Sequence, residues 1–242
     1  MKLSKRTIAA ICAHAQKEYP KEACGLVVIK NGKQSYFACK NIADNVLDHF
    51  IIDPQDYTLA EDCGEIVRIV HSHPNISPMP SEGDKVSCEL SSIPWVIVNW
   101  PTGAIYEFEP TGYVAPLIGR EFFHGVLDCY CLIRDYYKEK LSIELLDFDR
   151  EAQWWLKNQN LYVQNFEKAG FIEVPIAQMK EHDIVLMQVG SPVINHGAIY
   201  LGSNQILQHC AGRLSSRDVF GGGWQRAARI VVRHQSQIKT SI

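Results

Sequence analysis

The chain has 242 residues, 46% of them hydrophobic and 21% charged, a composition that excludes disordered and collagen-like chains. Its 24 basic and 27 acidic side chains leave a formal net charge of -3, which argues against nucleic acid as a partner, because phosphate-binding domains usually carry a basic excess. No apolar run approaches the roughly 18 residues of a spanning helix, so the chain is read as soluble, with no membrane insertion.

Eight cysteines, at 12, 24, 39, 63, 88, 129, 131 and 210, are scattered without the dense spacing of a secreted disulfide scaffold, which fits a reducing compartment. Lys2, Lys5 and Arg6 followed by Thr7 to Ala15 mimic a signal peptide. The apolar residues Ile8, Ile11, Cys12, Ala15 and Tyr19 nonetheless recur at three and four, and Ser4 stands as an N-cap, so the segment reads as an amphipathic helix.

In chain order, Gly25 to Ile29 is expected as a buried strand, Asn31-Gly32 as a turn and Gln34 to Ala38 as its hairpin partner. Asp53-Pro54 begins a capped segment that runs to Gly64. A strand follows over Ile66 to Val70, then a Pro-rich loop and a helix over Ser81 to Leu90. Strands over Pro94 to Val98 and Ala104 to Phe108 complete a mixed α/β unit. Pro110, Gly112 and Pro116 supply breakers, giving expected domains of 1–112 and 118–236. The second begins with a helix from Cys129 to about Lys140. Strands follow over Ile184 to Val189, Gly197 to Leu201, Gln205 to Gln208 and Arg229 to Val232, an α+β order of helix before sheet.

His71-Ser72-His73 closes the strand that begins at Ile66, and residues two apart on a strand share a face, so both imidazoles can meet one ion. Asp84, in the first turn of the next helix, offers a third ligand. Three protein ligands leave the open position of a catalytic zinc, which also needs a carboxylate to shuttle protons. Glu22, at the entrance of the Gly25 strand, is the candidate, and Ser81 is a candidate oxyanion donor. Taken singly, Ser81-Glu82-Gly83-Asp84 reads as a helix cap of capping-box type. Together, Glu22, His71, His73, Pro74, Ser81 and Asp84 resemble the JAMM/MPN metallopeptidases. That resemblance, over about residues 1 to 110, implies Zn2+ on His71, His73 and Asp84, Glu22 as general acid/base, and hydrolysis of peptide or isopeptide bonds.

Asp128-Cys129 opens the second unit's helix, where free amides and the helix dipole are expected to favour a thiolate. A papain-type mechanism also needs an imidazole and a group to orient it, and His196 and His209 are the candidates. His124 is a weaker candidate base; His14, His49, His182 and His234 are read as non-catalytic. Cys129, Cys131, His209 and Cys210 form a rival metal-site reading with unusual spacing. Asp128-Cys129, Asp183 to Leu186, Asn195 to Gly202 and His209 resemble the NlpC/P60 cysteine peptidases of papain-like fold. The resemblance implies Cys129 as nucleophile, His196 as base, His209 as the orienting third residue and cell-wall peptides as substrates. Tyr130-Cys131 departs from the small pair that many members carry after the nucleophile.

The order of the two modules, with Gly119 to Tyr130 and Leu214 to Trp224, resembles a tail-assembly family of long-tailed phages of the lambda type. It implies other tail-tip proteins and peptidoglycan peptides as partners, the host cytoplasm as the place of assembly and the virion tail tip as a destination. Two functional classes stand side by side: a bifunctional hydrolase with a zinc site and a Cys/His site, and an assembly factor that uses peptidase folds as binding surfaces.

Overall fold

Ser4 opens the first helix, α1 (Lys5–Glu18), by accepting a hydrogen bond from the Thr7 amide, and α1 buries Thr7, Ile11 and Ala15 at helical spacing. In this computed structural model, residues 2–151, 153–157 and 159–238 are described. The chain divides into two compact units, Met1–Val114 and Ala115–Ile242.

In the first unit, β1 (Cys24–Lys30) and β2 (Lys33–Cys39) form the hairpin, turned through Asn31 and Gly32 at φ of 50° and 73°. Helix α2 (Pro54–Cys63) is capped by Asp53, whose side chain accepts from the Gln55 amide. Strand β3 (Glu65–Pro74) leads into α3 (Glu82–Ser91), then β4 (Trp95–Trp100) and β5 (Ile105–Phe108). The sheet order is β2-β1-β3-β4-β5, with only β3 and β4 parallel. Both faces are covered, which is why β1 and β4 read as continuous apolar runs. Ile11 and Ala15 pack with Val27, Val70, Val96 and Val98, while Ala60 and Cys88 pack with Leu26, Val28, Ile69 and Trp95. β3 runs past Val70 to Pro74, so His71 and His73 lie inside the strand, at the carboxyl end of a parallel pair where open α/β sheets place ligands.

The second unit has one long helix, α4 (Cys129–Leu141), and a short α5 (Leu161–Asn165), before an antiparallel sheet. Its strands are β6 (Phe171–Val174), β7 (Ile184–Met187), β8 (His196–Tyr200), β9 (Gln205–Gln208), β10 (Ser216–Val219) and β11 (Ala228–His234), with α6 (Gly223–Ala227) before the last. The order is β10-β9-β8-β7-β11-β6. Leu132, Ile133 and Tyr137 of α4 pack with Ile184, Leu186, Ile199, Leu207 and Val232 on one face; Val185, Met187, Ala198 and Ile206 meet Phe220 on the other. β6 and β10 are the two edges. Each has four residues and carries charge (Glu173; Arg217 and Asp218), as edge strands do, so neither announces itself by alternation. No helix of the described residues is long and apolar enough to cross a membrane.

Candidate functional sites

Ser72 fixes the first site from behind. Its side chain points away from those of His71 and His73, and its Oγ accepts from the Ala23 amide at 2.8 Å while its own amide donates to the Ala23 carbonyl at 2.9 Å. That pair holds Glu22, one residue earlier, beside the end of β3. At the start of α3 the capping box is complete: the Asp84 amide donates to Ser81 Oγ at 3.0 Å and the Ser81 amide donates to Asp84 Oδ2 at 2.8 Å. The cap and the ligand candidate are therefore the same residue, since Asp84 Oδ1 lies 3.3 Å from His71 Nε2 and Oδ2 lies 3.5 Å from His73 Nε2.

The two Nε2 atoms are 3.0 Å apart, and one ligand atom from each of His71, His73 and Asp84 falls within 4.8 Å of the others. The Ser77 carbonyl, 2.8 Å from His73 Nδ1, can only accept, so Nδ1 carries a proton and Nε2 is the nitrogen left to meet a cation. Two imidazole nitrogens and a carboxylate that converge in this way are the donor set of a zinc site with one position open, and the residues fit that ion. Phe50 stacks on His71 at 4.6 Å and Trp95 meets it edge-on at 5.5 Å. That burial lowers the His71 pKa in spite of Asp84, whereas for His73 the Asp84 and Ser77 hydrogen bonds outweigh burial and raise it. Asp84 is held well below the usual carboxylate range, the imidazoles and Ser81 overcoming its burial. Glu22 is 6% exposed and pushed up to about 8, by burial first, against the pull of His73. A cleft opens beside it, lined by Lys17, Lys21, Lys40 and Asn41. Ser81 Oγ donates to Asp84 Oδ2 at 2.7 Å, so its proton is engaged in the cap; service to an oxyanion requires that hydroxyl to rotate.

In the second unit, Asp128 caps α4 by accepting from the Tyr130 and Cys131 amides on Oδ1. Its Oδ2 accepts from the Gly125 amide at 3.0 Å and Arg150 Nε at 2.9 Å. Burial works against this carboxylate, yet Arg150 and the amides hold its pKa below the usual value. The consequence for Cys129 corrects the expectation of a stabilised thiolate. The amides that would have favoured the anion are taken by Asp128, which adds a negative charge, and burial followed by Asp128 pushes the thiol up to about 11. Cys129 Sγ lies 3.2 Å from Tyr162 Oη and takes a hydrogen bond from the Gly197 amide, the residue after His196. Gly197 allows this approach: a Cβ there would lie 2.8 Å from Ile133 Cδ1 and 3.0 Å from Tyr162 Oη.

His196 does not pair with His209. Its Nε2 lies 2.9 Å from Gln208 Oε1. Strands β8 and β9 pair Ile199 with Leu207 and Tyr200 with Ile206, which puts His196, Ala198, Ile206 and Gln208 on one face by alternation and turns His209 to the other. The His209 ring is buried beside the Arg120 backbone and meets Phe122 edge-on at 5.1 Å, and burial, then the Arg120 charge, depress its pKa to about 4. Gln208, Tyr162 and Arg150 were missed in the sequence; only Gln208 had a usable signal, the parity of its strand. His124 Nε2 lies 3.0 Å from the Arg150 carbonyl, occupied in the loop. Among the described residues the only metal-type cluster is His71, His73 and Asp84, so Cys129, Cys131, His209 and Cys210 do not form one. Cys131 Sγ instead faces Arg150 Nη2 at 3.3 Å.

Fold and sites define a two-module chain of peptidase-type domains. Residues 4–109 match the model of prokaryotic homologs of the JAB domain, and residues 119–233 match the NlpC/P60 family. The chain is 39% identical over 237 residues, 96% of each chain, to the tail tip assembly protein K of Escherichia phage N15. It is 42% identical over 185 residues, 76% of this chain and 90% of the relative, to the tail tip assembly protein K of Escherichia phage lambda. A solved JAB1/MPN domain protein from Archaeoglobus fulgidus is similar at 24% identity over 46% of this chain and 96% of its own, with a TM-score of 0.29. The chain belongs to the tail tip assembly protein K family.

Proposed function

We propose that the chain is a bifunctional peptide hydrolase of the phage tail tip, with peptidoglycan cross-peptides as substrates and two chemically separate centres. The observation that carries the first is the convergence of His71, His73 and Asp84 beside the buried Glu22. A zinc ion held by those three residues would supply a Lewis-acidic centre that polarises a carbonyl and acidifies water. Glu22, once ionised, accepts the proton from the attacking water and returns it to the leaving amine, a task suited to a buried carboxyl beside His73 and Asp84. Ser72 fixes the Ala23 backbone next to that residue.

In the second centre the resting sulfur is a thiol. As it attacks the peptide carbonyl, His196 takes its proton through Nδ1, with Nε2–H held on Gln208 Oε1. His196 then protonates the departing amine, the acyl group remains on sulfur, and a water activated by the same ring releases it. Gln208 thus has the orienting role first given to His209.

The relatives are named for tail tip assembly, and this supports a second role: binding other tail-tip proteins in the host cytoplasm during assembly, with the virion tail tip as destination. The experiment is metal content per chain in the wild type and in His71→Ala, with peptide release from purified cell walls. About one zinc per chain, lost in the variant, together with release of peptides, is expected; a metal-free wild type that releases nothing leaves assembly as the only function.

A further inference from the structure

Gln208 is buried with both ends of its amide engaged: Oε1 on His196 Nε2 at 2.9 Å and Nε2 on Asp218 Oδ2 at 2.6 Å. An amide beside a neutral imidazole can point either way, because the ring offers one donor and one acceptor nitrogen and the amide offers one of each. A carboxylate is different, since it only accepts. With Asp218 at one end, the NH2 must face the carboxylate, the carbonyl must face the ring, and His196 must bring its proton to Nε2. The lone pair is then left on Nδ1, the nitrogen that the thiol mechanism needs.

The carboxylate is itself fixed. Arg213 Nη2 donates to Asp218 Oδ1 at 3.3 Å and Oδ2 at 3.2 Å, and Ser216 Oγ donates to Oδ2 at 3.4 Å. Strand β10 delivers these groups in register: Ser216 stands opposite Gln208, and Asp218, two residues on, shares its face. Cys210 Sγ also lies near the ring, 3.8 Å from His196 Nε2 and 3.9 Å from Gln208 Oε1. A thiol is too weak a partner to set the tautomer against a charge-assisted hydrogen bond. The polar run from Leu214 to Trp224 thereby acquires a task.

We infer that Asp218, held by Arg213, is a positioning residue that sets the tautomer of His196 through the amide of Gln208. The inference rests on the reading of Cys129 and His196 as a nucleophile and base, but its test is separable. In the full chain with 15N-labelled histidine, the His196 signals, identified by their loss in His196→Ala, should show the Nε2–H tautomer in the wild type. In Asp218→Ala that signature should give way to a mixture, and alkylation of Cys129 by iodoacetamide near neutral pH should slow about tenfold to a hundredfold, the worth of one hydrogen bond to a charged group. Asp218→Asn, which keeps the shape and one acceptor oxygen, should fall between and decides the matter if the alanine variant does not fold. An Nδ1–H tautomer in the wild type, or an unchanged tautomer in a folded Asp218→Ala or Asp218→Asn, overturns the inference. Alkylation equally fast in His196→Ala would instead overturn the thiol mechanism, with the tautomer still judging Asp218.

Discussion

The metal-type cluster of the first unit is local in the chain, Glu22 alone coming from a distant segment, whereas the members of the second centre all come from distant segments. His71, His73 and Asp84 fall within fourteen residues, on one strand end and one helix start. Cys129, His196 and Gln208 come from α4, β8 and β9 across eighty residues. A local site inherits its geometry from strand alternation and a helix cap. A dispersed site depends on register, and a shift of one residue turns a side chain to the other face. The electrostatics differ as well: the first centre gathers groups that a cation would unite, whereas the second shields a neutral thiol that must lose its proton on demand.

The largest effects should come from the reacting groups. Glu22→Gln should slow metal-dependent peptide release by about 10²- to 10⁴-fold, the range for loss of a general acid/base, and Cys129→Ala should abolish thiol-dependent release. Neither should change the other activity or, by elemental analysis, the metal content; cross-inhibition would break the comparison. Next, Gln208→Leu should lower thiol-dependent kcat/KM about tenfold to a hundredfold, while His209→Leu, whose ring lies on the other face of β9 from Gln208, should leave it within about threefold. The reverse ranking would return the orienting role to His209.

A smaller effect is expected on stability. In metal-free protein Glu22 titrates near 8 rather than the ordinary 4.5, so ionisation favours the unfolded chain, and the native state loses stability as pH rises between those values. Glu22→Gln should be more stable than the wild type by about 1–3 kcal/mol above pH 8, with the gap closing toward pH 4.5, as urea unfolding at several pH values can show; a gap independent of pH would contradict the burial argument. Smallest of all, Ser81→Ala should cost about 1 kcal/mol as a lost N-cap. If it also lowers metal-dependent release by more than tenfold with metal bound, Ser81 serves the oxyanion as well as the cap.

The same contrast governs what was legible in the sequence. Ser4, Asp53, Ser81 and Asp128 announce their helices because a cap is a matter of a few residues. The hairpin at Asn31-Gly32 and the metal-type cluster are equally short-range. Gln208 was hidden because the partner of His196 follows from how β9 lies against β8, and Asp218 because it stands on a polar edge strand with no apolar period. The thiol's resting state was misread for a different reason: a helix start favours an anion only while its amides are free, and Asp128, one residue before Cys129, had already taken them.

Release of peptides from purified peptidoglycan by the full chain, after chelation in one sample and alkylation in another, tests the claim of two separate centres most directly. Each treatment should remove a different set of products and spare the rest. Identical loss under both reagents, or no products from the untreated protein, would contradict it.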